Sequence, residues 1–285
     1  MSTPPFITAQ ILLDQYDVFF LDAYGVLVNA EGPLPGAAAF LAEIANRGKS
    51  YWLLSNDASR GLHTTWARYI SFGLPLDQDR ILTAGMLLPK YFAAQGLMGA
   101  PCIVLGTDDS RAYVEAAGGF VVPCTDLNAT VCVLADDVGY SFLDTINDVI
   151  TVLLGRLERG LTTRLILPNP DLVFPRQGGF GITAGAVARA IEAVLTLRDP
   201  SGKQTFVHLG KPQTHIFEEA FARLPSDVTR DQVVMLGDQL ATDILGASRA
   251  GIDSALLLTG VSRLEELKSA NALPTHVLRG FAEAT

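Results

Sequence analysis

Four short polar stretches hold the residues of this chain that could do chemistry. Asp22-Ala23-Tyr24-Gly25 follows the apolar run Val18–Leu21, and Ser55-Asn56-Asp57 follows Tyr51–Leu54. Gly210-Lys211-Pro212 follows Phe206–Leu209, and Gly237-Asp238, with Asp243 five residues on, follows Val233–Leu236. Together they offer carboxylates, a hydroxyl and an ammonium. Mg²⁺ takes hard oxygen ligands, usually one or two carboxylates plus phosphate and water. A carboxylate also serves as a covalent nucleophile, and a lysine with backbone N–H groups neutralises phosphoryl oxygens. The set suits magnesium-assisted phosphoryl transfer.

Taken singly, each has an ordinary explanation. An Asp after a strand is a common turn or cap residue, and Ser-Asn is a plain loop signal. A lone lysine is normally a solvated surface group. Asp238 and Asp243 read equally as a turn residue and a first-turn helix acid favoured by the macrodipole. What these explanations leave unaccounted for is the joint pattern, in which the polar groups recur at the ends of successive apolar runs.

The elements that must position them alternate between strand and helix. Val18–Leu21, Tyr51–Leu54, Arg80–Thr83, Val233–Leu236 and Ala255–Leu258 read as strands. Helices are expected over Pro35–Asn46, near Thr64–Phe72 and from about Thr242 to Ala250. This alternation predicts an α/β fold of parallel βαβ units, and continuous apolar strands predict a sheet covered on both faces. A long middle section has strands of its own at Cys102–Leu105, Phe120–Val122, Val131–Leu134 and Arg164–Leu167, with loops at 99–101 and 176–179. The expected organisation is a discontinuous core at 1–84 and 180–285 with a second α/β domain, 85–179, inserted in it. In open α/β sheets, sites form at the carboxyl ends of the strands, which is where the four polar stretches fall.

The bulk numbers narrow the function further. The chain has 285 residues, 49% of them apolar and 18% charged, and a net charge of −9. That is globular composition, and the acidic balance argues against nucleic acid as a partner. Cys102, Cys124 and Cys132 form no CxxC pair and read as free thiols of a reducing cytosol. The N-terminus carries no signal-peptide pattern, and no apolar run is long enough to span a membrane. A cytoplasmic location is expected.

The stretches LDAYGVL, LPGAAAFL, LLSND, LPNPDLVFP, AGAVARAIE, GKPQTHIFEEA and GDQLATDILGA resemble the haloacid dehalogenase superfamily, and within it the class IIA branch of NagD-like and 4-nitrophenylphosphatase-like hydrolases. The resemblance implies a Rossmann-like core with a type-2 cap between the second and third motifs. It implies Asp22 as the nucleophile that becomes an aspartyl-phosphate. Ser55 and the backbone around Asn56 would hold the phosphoryl group, and Lys211 would pair with nucleophile and phosphate. Asp22, Asp238 and the Tyr24 main-chain carbonyl would bind Mg²⁺, with Asp243 holding a metal-bound water or Lys211. A small phosphorylated metabolite is the implied substrate, and caps of this branch often join homodimers.

At Tyr24 the chain departs from the pattern. The family's phosphatases usually read Asp-x-Asp-Gly, the second Asp protonating the leaving oxygen and then activating water. A positioned general acid–base is worth about 10²–10⁴ in rate, and a phenol with an ordinary pKa near ~10 is a poor base at neutral pH. Three readings follow: a slow or leaving-group-selective phosphatase; a phosphatase in which another group substitutes, with Asp57 nearest; or a descendant that binds a phosphorylated ligand or partner without turnover. Asp-x-Tyr-Gly also resembles enzymes that displace halide. Those need no metal, yet Asp238 and Asp243 are present. Their cap lies between the first and second motifs, where residues 23–54 leave little room.

Asn169 and Asp171 in LPNPD, and Asp136-Asp137, are candidate substrate contacts from the cap, although Asn169-Pro170 is also a turn signal. Asp108-Asp109 reads as a helix N-terminus. His208 and His215 flank Lys211, either as supporting groups or in ordinary packing. No basic cluster in the cap marks a multiply phosphorylated substrate.

Overall fold

The computed structural model describes residues 4–282. In chain order the elements are α1 (Ala9–Gln15), β1 (Val18–Leu21), α2 (Ala37–Asn46), β2 (Ser50–Ser55), α3 (Leu62–Ser71), β3 (Ile81–Thr83), α4 (Leu88–Gln95), β4 (Pro101–Leu105), α5 (Asp108–Ala116), β5 (Phe120–Val121), β6 (Val131–Leu134), α6 (Phe142–Glu158), β7 (Arg164–Leu167), β8 (Val173–Arg176), β9 (Gly179–Ile182), α7 (Ala184–Leu195), β10 (Val207–His208), α8 (His215–Phe221), β11 (Val233–Gly237), α9 (Leu245–Ala250), β12 (Asp253–Leu257) and β13 (His276–Leu278).

Six of these strands form one parallel sheet in the order β13-β12-β11-β1-β2-β3. The period-2 geometry of a strand sends alternate side chains to opposite faces. Val18, Phe20, Trp52, Leu54, Val233 and Met235 accordingly share one apolar cluster, and Phe19, Leu21, Tyr51, Leu53, Val234 and Leu236 the other. All four residues of β1 are buried, and each such side chain contributes about 1.5–3 kcal/mol relative to exposure. Leu21 is in register with both Leu236 and Leu53. The residues that follow these three therefore leave the sheet along one edge, at the strand where the order reverses direction.

The second sheet is also parallel, in the order β10-β7-β6-β4-β5, and β8-β9 form a separate antiparallel hairpin. One face of this sheet, with Cys102, Val104, Val131, Val133 and Ile166, belongs to the same cluster as Val18 and Phe20 of the core. Leu88 and Phe92 of α4 and Val114 of α5 lie in that cluster too, so the two units share an apolar core. No helix among the described residues is long and apolar enough to cross a membrane. The three cysteines are free.

The expected return to the core at residue 180 falls too early. β10 pairs with β7, Val207 opposite Ile166 and His208 opposite Leu167. Val187, Ile191 and Leu195 of α7 pack with Ile103, Cys132 and Leu165 of the second sheet. The inserted unit thus extends to His208, and the strand before Lys211 belongs to it rather than to the core. An amphipathic helix and a short apolar strand carry the same periodicity whichever sheet they join, so local pattern misassigns them.

Candidate active site

Asp22 is fixed at the end of β1 by its own N–H, which donates to the Leu236 carbonyl at 2.9 Å. The chain then turns tightly: the N–H groups of Leu27 and Val28 both donate to the Ala23 carbonyl at 2.9 Å. Gly25 makes the turn possible with φ of +81°, and a Cβ there would strike the Asp238 carboxylate. Gly260 approaches the same carboxylate as closely from the other side. Both positions need glycine because Asp238 fills the space a side chain would take.

Lys211 is buried beneath this loop at 1% exposure. Its Nζ donates to Asp22 Oδ1 at 2.6 Å and the Leu54 carbonyl at 2.8 Å, and meets Asp243 Oδ1 at 2.8 Å. Two of the three ammonium donors make these hydrogen bonds; the contact with Asp243 is an ion pair, and Asp243 Oδ1 has no hydrogen-bond partner. Asp243 Oδ2 accepts from the N–H groups of Asp238 and Gln239 at 3.1 and 3.0 Å. Asp243 thus ties Lys211 to the Asp238 loop. Asn56 ties the second loop to the third. Its Oδ1 accepts from the Lys211 N–H at 2.8 Å, and its Nδ2 donates to the Lys211 carbonyl at 3.1 Å and to Asp171 Oδ1 at 3.0 Å.

Asp238 is fully buried. Oδ2 accepts from the Val261 N–H at 2.8 Å, while Oδ1 has no hydrogen-bond partner. Oxygens of Asp22, Asp238 and Asp243 lie within 4.8 Å of one another. Burial pushes the Asp22 carboxyl up to about 7 against the pull of Lys211, and Asp171 up to about 6 for the same reason. Asp238 rises well above the carboxylate range through burial, reinforced by Asp243 and Asp22. For Lys211 burial works downward, but Asp22, Asp243 and Asp171 outweigh it and hold the ammonium above its ordinary range. The centre has a surplus of buried carboxylate over ammonium, and two of its hard oxygens, Asp238 Oδ1 and Asp243 Oδ1, lack hydrogen-bond partners. That donor set fits a divalent cation of the Mg²⁺ type.

A cleft of about 180 Å³ opens beside Asp22 and is lined by Tyr24, Ser55, Asn56, Asp57, Arg60, Asp136, Asp137, Asn169, Asp171 and Phe174 among others. Tyr24, Ser55, Asn56, Asp57, Asn169 and Asp171 are thereby brought to Asp22, with Lys211, Asp238 and Asp243 behind it. Their situations differ. Asp57 organises its own loop: Oδ1 accepts from the Ser59 N–H at 2.7 Å and its hydroxyl at 2.6 Å, and Oδ2 pairs with Arg60 at 3.3 Å. Asn169 is a turn residue, accepting from the Asp171 N–H at 3.0 Å and donating to Thr183 Oγ1 at 3.1 Å. Asp171 belongs with the buried centre through Asn56. Asp136 lies on the opposite wall, where burial and the neighbouring Asp137 push its carboxyl up to about 7. His208 and His215 do not reach the cleft; His215 is exposed and 3.9 Å from Glu218.

Asp108 and Asp109 open α5, capped by Thr107. This helix docks the second unit on the loop after Asn56. Ser110 Oγ donates to the Ala58 carbonyl at 2.8 Å, Tyr113 Oη to the Arg60 carbonyl at 3.0 Å, and the Gly61 N–H to Asp109 Oδ2 at 2.8 Å. Residues that local sequence did not single out are Arg68, Arg60, Phe174 and Gly260. Arg68 Nη2 donates to Tyr24 Oη at 2.7 Å, and the Phe174 ring meets the Tyr24 ring edge-on at 6.1 Å. Nothing within a few residues of Arg68 or Phe174 marks them, because each reaches Tyr24 from a distant element.

Known proteins resemble this chain over most of its length. The family model for haloacid dehalogenase-like hydrolases matches residues 19–119, and a second, HAD-hydrolase-like model matches 208–284. Chronophin from Bos taurus is 32% identical over 269 residues, 90% of this chain and 86% of chronophin. The structure of a possible sugar phosphatase of the superfamily from Cytophaga hutchinsonii aligns with TM-score 0.86 and 29% identity, over 99% of this chain and 100% of that one. A glycerol phosphate phosphatase from Mycobacterium tuberculosis, solved in complex with magnesium, aligns with TM-score 0.77 and 22% identity over 95% of this chain and 76% of its own. The chain belongs to the haloacid dehalogenase-like hydrolases, in their class IIA branch with a type-2 cap. Halide displacement is ruled out as a reading: the second unit enters after β3 rather than between β1 and β2, and the branch's named relatives are phosphatases.

Proposed function

We propose that this protein is a magnesium-dependent phosphatase of small phosphate monoesters. The observation that carries the reading is the pair of buried carboxylate oxygens without hydrogen-bond partners, Asp238 Oδ1 and Asp243 Oδ1, clustered with Asp22 beside the buried Lys211 at the floor of a small cleft. Asp22, Asp238 and the main-chain carbonyl of Tyr24 would hold the metal. Asp243 would serve it through its ion pair with Lys211 and its hold on the Asp238 loop. Bound there, Mg²⁺ supplies charge neutralisation of the phosphoryl oxygens.

Asp22 attacks phosphorus through a carboxylate oxygen; the bond from phosphorus to the ester oxygen breaks, and the leaving oxygen takes the bonding pair and a proton from water to depart as the alcohol. Water then cleaves the aspartyl-phosphate, returning the carboxylate and releasing inorganic phosphate. Ser55 and the backbone at Asn56 line the cleft where the transferred group sits, and Lys211 orients Asp22 and offsets its charge. Asp171 and Asn169 support this wall through Asn56 and the turn they share. The cleft, small beside the roughly 300–1,000 Å³ of drug-sized sites, suits a small phosphorylated metabolite. The relatives' names, among them sugar and glycerol phosphate phosphatases, support that class.

A second reading, phosphate-ester binding without turnover, is favoured by Tyr24 standing where a carboxylate would act as acid and base. Steady-state hydrolysis of 4-nitrophenyl phosphate and acetyl phosphate, with and without Mg²⁺, separates the two. Expected is Mg²⁺-dependent turnover that Asp22→Asn lowers by more than about 10³-fold. Wild-type turnover no greater than that of Asp22→Asn would leave the binding reading.

A further inference from the structure

The geometry points to Arg68 as a positioning residue that turns Tyr24 into the hydrogen-bond donor to the leaving-group oxygen, an inference that rests on the phosphatase reading above. Arg68 is a half-buried cation on α3 with no carboxylate partner among the described residues; its hydrogen bond goes to a phenol oxygen, Tyr24 Oη, at 2.7 Å. Its guanidinium is pinned from two sides, 5.0 Å over the Phe72 ring one helical turn on and 5.4 Å over the Tyr24 ring itself. Stacking of this kind holds a planar cation in one orientation.

The direction of the bond is fixed by chemistry. A guanidinium has donors and no acceptor, so in this pair the phenol oxygen must accept. The single O–H of Tyr24 is left to donate elsewhere, and no described group accepts it. Tyr24 lines the cleft, two residues past the nucleophile, with its ring braced from the cap side by Phe174. An ester oxygen leaving Asp22-bound phosphorus is the acceptor this arrangement lacks. Arg68 thereby holds the phenol oxygen as an acceptor and leaves its one proton available to the cleft. A hydrogen bond to the departing oxygen matters in proportion to the negative charge that develops there. It helps alcohols that leave poorly and does little for those that leave unaided.

The test is a series of aryl phosphates running from 4-nitrophenyl to phenyl phosphate, turned over with Mg²⁺ by wild type, Arg68→Met, Arg68→Lys, Tyr24→Phe and the Arg68→Met/Tyr24→Phe pair. Expected is a loss in kcat of about tenfold at the phenyl end, the worth of one hydrogen bond made in the transition state, and of less than about twofold at the 4-nitrophenyl end. The slope of log kcat against leaving-group pKa steepens in both single variants, KM holds, and the double variant is no worse than either single. Arg68→Lys, which keeps a donor, recovers part of the loss. Tyr24→Phe removes the O–H while keeping the ring, so it reports even if Arg68→Met folds poorly. Slopes parallel to wild type, or losses that multiply in the double variant, would mean that Arg68 merely packs against Tyr24. Wild-type turnover no higher than Asp22→Asn on 4-nitrophenyl phosphate would instead remove the phosphatase reading, and this inference with it.

Discussion

On the strand-end wall of the cleft, Lys211 is hydrogen-bonded to Asp22 and the Leu54 carbonyl and ion-paired with Asp243, and Asp22, Asn56, Asp238 and Asp243 are all buried. On the facing wall Tyr24, Arg60, Asp136 and Asp137 are partly exposed; Arg60 reaches Asp57 and Ser59 only at 3.3 and 3.2 Å, and Tyr24 Oη accepts one hydrogen bond, from Arg68. The first wall hangs from parallel strands whose register is enforced by side chains buried on both faces. The second is assembled from a helix, a loop and a cap hairpin. The floor is thus built to hold one charge arrangement, while the opposite wall sets what happens to the leaving group and tolerates change.

The sharpest way to break this contrast is Tyr24→Asp. If the missing acid limits turnover, kcat on phenyl phosphate rises by about 10²–10⁴; an unchanged rate would show that the second wall does not limit the reaction.

Next comes Lys211→Met, which strands Asp22 and Asp243 without their cation. Breaking such a buried pair costs about 3–5 kcal/mol, measurable by urea unfolding without metal. A loss under about 1 kcal/mol would deny the floor its rigidity.

The smallest effect is expected at Asp136, whose carboxyl burial pushes up to about 7. A carboxyl with a raised folded-state pKa contributes stability that is fully present below its unfolded value near 4 and lost as pH rises through about 7. Asp136→Asn is therefore more stable than wild type at pH 8, by about 1 kcal/mol once solvent screening is allowed for, with the gap closing by pH 5. A gap that does not change with pH would remove burial as the cause.

Much of the first wall was legible beforehand. Val18–Leu21 and Val131–Leu134 are strands at the residues expected, because a strand buried on both faces is a continuous apolar run. The loop read at 176–179 holds the two-residue turn of the β8-β9 hairpin, and Pro175, Gly179 and Gly181 break up the apolar residues of its strands, Val173, Phe174, Phe180 and Ile182. The segments that form α7 and β10 belong to the second sheet rather than the core, because periodicity reports which face of an element is buried, not which neighbour buries it.

The sequence by itself determined which polar groups sit at strand ends, and in a parallel sheet that suffices to bring Asp22, Ser55 and Asp238 to one edge. It also determined that the residue two past Asp22 is a tyrosine and so cannot act as a carboxylate. The tertiary structure alone decided what that tyrosine does with its hydroxyl. Arg68 is 44 residues away and Phe174 is on the cap hairpin; no local spacing encodes a contact made by packing separate elements together. The same holds for Asp171, drawn from a cap turn into the buried centre by Asn56 across 115 residues. Strand-end placement follows from backbone hydrogen bonding, which is local and periodic. Side-chain partnership across the cleft follows from how whole layers pack, and that is settled only when the chain is folded.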